Sequence, residues 1–138
     1  MVDKKLVKNK LADLAGYYKE LKLLINEPVK EILDNNLKLR SVERLFQLVV
    51  DAAIDINTHL IAESDIKVPD DYQSTFITLA ENKFLPLDFA VKIAPSVGLR
   101  NLIVHKYSRV DSNKMIEDVK KDINQYLEYM RHINQAID

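Results

Sequence analysis

The chain contains no cysteine and no tryptophan, and only two glycines and four prolines among 138 residues. Without cysteine there can be no disulfide, thiolate metal site or cysteine nucleophile, and a reducing compartment is the natural expectation. So few glycines and prolines argue against a strand-rich fold, whose many turns use these residues. No excess of one charge sign is present either: 20 basic residues face 21 acidic ones, for a net charge of −1. That balance argues against a non-specific nucleic-acid coat, and DNA is not an expected partner, although a local basic site remains open. No apolar run reaches the roughly eighteen residues that a membrane span needs. The start, Met1-Val2-Asp3-Lys4-Lys5, leads into a charged periodic segment instead of the unbroken apolar core of a secretion signal. A cytoplasmic protein without a membrane partner is expected.

What is present is 47% hydrophobic and 30% charged residues, the balance of a globular helical chain. At this length a single domain, residues 1–138, should bury roughly two-thirds of its unfolded surface. No internal repeat or composition break divides it.

Apolar residues at Val7, Leu11, Leu14, Tyr18, Leu21 and Ile25 alternate in steps of four and three, predicting one long helix over 4–26 that Pro28 ends. A short helical piece follows through Val29, Ile32 and Leu33, and Asn35-Asn36 resembles a turn. A second long helix is predicted over 41–62, with Ser41 as N-cap and an apolar face wide enough for contacts on two sides. Residues 63–71 read as a loop and 73–82 as a short helix. Pro86 opens another helix that Pro95 interrupts, and a second half continues over 96–105. The last helix opens near Ser112 and repeats Ile116, Val119, Ile123, Tyr126, Met130, Ile133 and Ile137. These patterns predict an all-α, up-and-down bundle of four main helices plus a shorter fifth.

The densest chemistry lies in Arg100-Asn101-Leu102-Ile103-Val104-His105-Lys106-Tyr107. Arg, adjacent Asn, His five residues after the Arg and Tyr two further on coincide by chance on the order of 10⁻⁴ times per chain. On a helix, Leu99, Leu102 and Ile103 share one side and can anchor it in the core, and a bend is expected around His105 to Tyr107.

A guanidinium and an imidazole without an evident metal cluster suit phosphodiester chemistry in which the substrate supplies the nucleophile, as RNA does with its 2′-OH. Histidine titrates near neutrality and can move the proton; arginine can stabilise phosphoryl charge. Asn101 can orient the phosphate or the imidazole, and the Tyr107 hydroxyl can hydrogen-bond, stack on a base or be modified. On an ideal helix Arg100 and His105 point about 140° apart. A single copy therefore looks incomplete, whereas two copies about a twofold axis can bring Arg from one and His from the other to one phosphate.

At Arg100, Asn101, His105 and Tyr107 the chain resembles the HepT-like proteins of the HEPN superfamily. Their signature is Arg, Asn or another polar residue, three to five more residues, His, one residue, Tyr. The segment from Asp51 to Leu60 resembles that family's second helix. The resemblance implies an all-helical homodimer with the motif in an interface cleft, acting as a metal-independent endoribonuclease toxin of a type VII-like toxin–antitoxin pair, with no resident cofactor. It implies Arg100 and His105 as catalytic residues, Asn101 as a supporting one, and Tyr107 as the site where a nucleotidyltransferase antitoxin transfers AMP. The competing reading is a non-catalytic subunit that binds such a transferase and a nucleotide in the same cleft. A purely structural dimerising bundle is a third.

Other chemistry-bearing residues carry plainer expectations. Asp55 is a supporting candidate if it faces the cleft and orients Arg100 or His105. His59, one turn later, is expected to hydrogen-bond Asp55 within the helix. Asp51 with Asp55 lacks a third ligand and reads as a solvated stripe, with no metal expected. His132 reads as surface, Tyr17, Tyr18 and Tyr126 as core or interface aromatics, and Lys4, Lys5, Lys8 and Lys10 as a solvated helix face.

Overall fold

The computed structural model describes residues 2–105 and 111–138. The chain forms α1 (Lys4–Ile25), α2 (Val29–Leu33), α3 (Asn36–Glu63), α4 (Gln73–Glu81), α5 (Leu87–Ile93), α6 (Ser96–His105) and α7 (Ser112–Ile137), with no strand among the described residues. The all-helical class stands. Among the described residues there are seven helical pieces, against the expected four main helices and a shorter fifth, because prolines separate α1 from α2 and α5 from α6.

Local chemistry explains the boundaries. The Asp3 carboxylate accepts the Leu6 N–H (3.1 Å) to start α1, and the Asp111 carboxylate accepts the Lys114 N–H (3.1 Å) to start α7. The largest departure from expectation is at α3, which begins five residues before Ser41. The Asn35 side-chain oxygen accepts the Lys38 N–H (3.2 Å), so Asn35 is a cap and not the middle of a turn. No glycine or proline follows to break the next turn, and Ser41 lies inside the helix.

Two helix ends use left-handed residues. Asp65 after α3 and Lys83 after α4 have φ of 57° and 67°. At each, the following N–H reaches back to the last turn, from Ile66 to Ile61 (3.3 Å) and from Phe84 to Leu79 (2.9 Å).

The centre of the molecule is α3. It packs against α1, α2, α4, α6 and α7, which explains its broad apolar surface. By length and composition alone this helix passes for a membrane span. Its Val42, Phe46, Val49, Val50, Ala53, Ile56 and Leu60 are instead buried against the other helices. Burying each larger side chain contributes about 1.5–3 kcal/mol.

Two fully buried tyrosines of α7 tie the core together, and one of them reaches the helix that carries the motif. The Ser96 hydroxyl donates to the Ile93 carbonyl (2.7 Å), which leaves its oxygen to accept from the Tyr126 hydroxyl at 2.7 Å. This contact pins the first residue of α6 directly after Pro95. The Tyr129 hydroxyl donates to Asn57 Oδ1 (2.6 Å), and Asn57 Nδ2 donates to Thr75 Oγ1 (3.1 Å), joining α7, α3 and α4. Burial pushes both phenols above their ordinary pKa, so they remain neutral donors.

Candidate functional site

Leu99 and Ile103 seat α6 in the core, as their spacing predicts, but Leu102 does not join them: it is 50% exposed. At about 100° per residue it stands at the edge of the buried stripe. Val104 is also exposed, and Asn101 and His105 face outward. One side of α6 is therefore bound to the bundle and the other presents polar and apolar groups at the surface.

Arg100 lies at the boundary between those two sides. Its Nε donates to Asp51 Oδ1 at 2.8 Å, and Nη1 donates to Asn101 Oδ1 at 3.0 Å. Its side chain is only 17% exposed. Two of the five N–H groups of the guanidinium are thus held by protein oxygens, which fixes the plane of the fork before any ligand arrives. Asn101 acts on the arginine in this arrangement.

The carboxylate beside Arg100 is Asp51, one turn ahead of the expected Asp55. Asp55 is 60% exposed at its side chain and meets Lys10 Nζ at 3.5 Å. The reason is register. Arg100 meets α3 at Asp51, and Ile103 and Val104 face Arg40, Glu43, Arg44 and Gln47 across a groove. Higher numbers on α6 therefore meet lower numbers on α3, and the two helices run antiparallel. That direction carries the motif away from Asp55.

His105 closes α6 and is exposed. Tyr107 and the segment assigned to the bend beyond His105 lie outside the described residues. His59 does not bond Asp55; its Nε2 accepts the Asp3 backbone N–H at 3.4 Å, linking the start of α1 to α3. His132 is half-buried rather than superficial, its ring 5.0 Å from that of Phe89. Asp51 and Asp55 line a small cavity of about 110 Å³ with Lys10, Asp13 and Tyr17. Among the described residues no group of three or more His, Asp or Glu side chains is arranged to hold a metal ion.

Sequence reasoning missed Asp51 as the partner of Arg100 and gave no role to Arg40, Arg44 or Gln47. A signal existed: positions 40, 44, 47 and 51 fall at helical spacing on one stripe of α3. It was masked because polar stripes on long helices are usually only solvated.

The bundle defines an α-helical protein that presents an arginine, an asparagine and a histidine along one surface helix, the arginine anchored by a carboxylate from the central helix. The family model described as "Ribonuclease HepT-like" matches residues 14–133. The chain belongs to this HepT-like ribonuclease family. It is similar to the tRNA nuclease HepT of Aphanizomenon flos-aquae, at 34% identity over 134 residues covering 96% of this chain and 90% of that one. It is also similar to the mRNA nuclease HepT of Shewanella oneidensis, at 24% identity over 126 residues covering 89% of this chain and 94% of that one. In fold it matches the tri-AMPylated HEPN toxin of Shewanella oneidensis solved in complex with an MNT antitoxin. There the TM-score is 0.86 at 20% identity, covering 96% of this chain and 99% of the toxin.

Proposed function

We propose that this HepT-like ribonuclease is the toxin of a toxin–antitoxin pair and cleaves RNA without a metal ion, at a site completed by two copies of the chain. Arg100 and His105 are the catalytic residues, and Asn101 and Asp51 position Arg100. The imidazole of His105 takes the proton from a ribose 2′-OH. The 2′ oxygen forms a bond to phosphorus, the bond to the 5′ oxygen breaks, and the imidazolium gives its proton to that leaving oxygen. The products are a 2′,3′-cyclic phosphate and a 5′-hydroxyl. Arg100 stabilises the added charge on the phosphoryl oxygens.

The observation that carries this reading is the fixed guanidinium of Arg100 on the same helix as an exposed His105. The two point about 140° apart on that helix, which favours convergence across a homodimer. Exposed Leu102 beside them offers apolar surface for a second copy. The named activities of the similar nucleases support RNA as the substrate, and the MNT complex of the similar toxin supports a nucleotidyltransferase antitoxin as partner. Transfer of AMP to Tyr107 would add negative charge and bulk two residues from His105 and compete with RNA phosphate for Arg100.

The test is cleavage of RNA in chelator by purified wild type, Arg100→Ala and His105→Ala, with oligomeric state measured in parallel. Cleavage by wild type alone, at unchanged oligomeric state, is the expected result. Undiminished cleavage by well-folded His105→Ala overturns the mechanism.

A further inference from the structure

We propose that Arg40 and Arg44 of α3 form a phosphate-binding ledge that leads the single-stranded RNA substrate to Arg100 and His105. This inference rests on the ribonuclease reading above and adds residues that it does not use.

The ledge is one wall of a groove of about 410 Å³ between α3 and α6. Arg40, Glu43, Arg44 and Gln47 line one side, and Ile103 and Val104 the other. Because the helices are antiparallel, the groove lies beside the last turn of α6, with Ile103 and Val104 on its wall between Arg100 and His105 in sequence. A strand lying in it would pass within one helical turn of both Arg100 and His105 in sequence.

Both arginines are exposed and held ready. Arg40 Nη1 donates to Glu43 Oε1 at 3.1 Å, and Arg44 Nη1 donates to Gln47 Oε1 at 3.2 Å. Each contact uses one nitrogen and aligns the fork along α3, leaving other N–H groups of each guanidinium to meet phosphate oxygens in the paired geometry that arginine favours. The acid in the groove bears on the two arginines unequally. The Glu43 carboxylate, 10% exposed at its side chain, pairs with Arg40 and offsets part of its charge, whereas Gln47 is neutral and leaves the full charge on Arg44.

Spacing supports a nucleic-acid strand over an isolated anion. Four residues of α-helix rise about 6 Å, and Arg44 lies about 10 Å along α3 from Asp51. Charges at such intervals match successive phosphates within a few nucleotides of the bond to be cut. Exposed Val104 on the opposite wall supplies apolar surface for a base or ribose. Neutralised phosphates release counterions, so the ledge has a measurable signature in salt.

The experiment measures binding of a fluorescently labelled single-stranded RNA by anisotropy, in chelator and over a range of salt, with His105→Ala as the parent so that the probe survives. Adding Arg40→Ala and Arg44→Ala together is expected to weaken binding by about tenfold or more. It should also flatten the slope of log K against log salt by about 1.4, from about 0.7 per lost single-strand phosphate contact. Arg44→Ala alone should flatten it by about 0.7, and Arg44→Lys should restore most of the slope. Unchanged affinity and slope in the double variant, with the parent binding RNA, overturn the ledge and leave the ribonuclease reading standing. Conversion of the double variant to monomer, seen by sedimentation, with the RNA slope unchanged also overturns it and makes the groove an interface between copies. A parent that binds no RNA overturns both readings.

Discussion

Asp51 Oδ1 accepts the Nε–H of Arg100 at 2.8 Å across the contact between α3 and α6. The pair joins the central helix to the motif helix at the point where chemistry is proposed. It aims the guanidinium while leaving its remaining N–H groups to other partners. Asp51 and Asp55 differ by one helical turn, and that turn separates the residue on Arg100 from the residue on Lys10.

Removing Asp51 should cost both alignment and stability. Asp51→Ala is expected to lower RNA cleavage by about 10- to 100-fold and stability by about 1–2 kcal/mol. Asp55→Ala loses only an exposed ion pair, and its stability should change by less than about 1 kcal/mol. Single-turnover cleavage together with urea unfolding of both variants checks the difference. Equal losses in the two variants would contradict the assignment of the positioning role to Asp51.

The two buried tyrosines should not be equivalent. Tyr129→Phe strands Asn57 Oδ1, which lies in a fully buried residue, and is expected to cost about 1–3 kcal/mol. Tyr126→Phe leaves the Ser96 hydroxyl its bond to Ile93 and should cost about 1 kcal/mol. Because Ser96 starts α6, Tyr126→Phe should also affect cleavage, whereas Tyr129→Phe should act mainly on the unfolding midpoint.

Asp122 supplies a pH test. Burial, followed by the nearby charge of Asp118, raises its carboxyl above the ordinary value of 3.8. The folded state thus favours the protonated acid: its favourable contribution is complete below pH 3.8 and is lost as pH rises through the raised value, where ionisation opposes folding. Asp122→Asn should therefore raise the melting temperature at neutral pH, with the gain disappearing in acid. Melting curves across that range provide the measurement, and a gain confined to acid would contradict the sign.

Helix α3 should depend on its cap. Asn35→Ala removes the acceptor for the Lys38 N–H and is expected to cost about 1 kcal/mol, while Asn35→Asp should largely preserve stability. Thermal unfolding compares the three proteins.

Tyr107 should be the acceptor of AMP. Incubation with the cognate nucleotidyltransferase and ATP is expected to add adenylyl mass to wild type and none to Tyr107→Phe, with cleavage falling as the modified fraction rises. Equal modification of both proteins, resolved by intact mass, would move the control point to another residue.

Most of the fold was legible because helices declare themselves through spacing. Val7 to Ile25 and Ile116 to Ile137 repeat at three and four, and Pro28, Pro86 and Pro95 mark breaks. The early start of α3 was hidden because Asn35 is equally suited to a turn and to a cap, and only the bond to Lys38 distinguishes them. Leu102 was misplaced for a related reason: an apolar residue at the edge of a stripe is buried only if a neighbour covers it.

The sequence by itself determined a helical chain, the breaks between its segments and the order of Arg100, Asn101, His105 and Tyr107, since these follow from local propensity and covalent order. Tertiary structure decided which carboxylate meets Arg100, which arginines border the groove and where the buried tyrosines find partners. Those choices depend on how α6 crosses α3 and α7. A slide of one turn exchanges Asp51 for Asp55, and no spacing within either helix records that register.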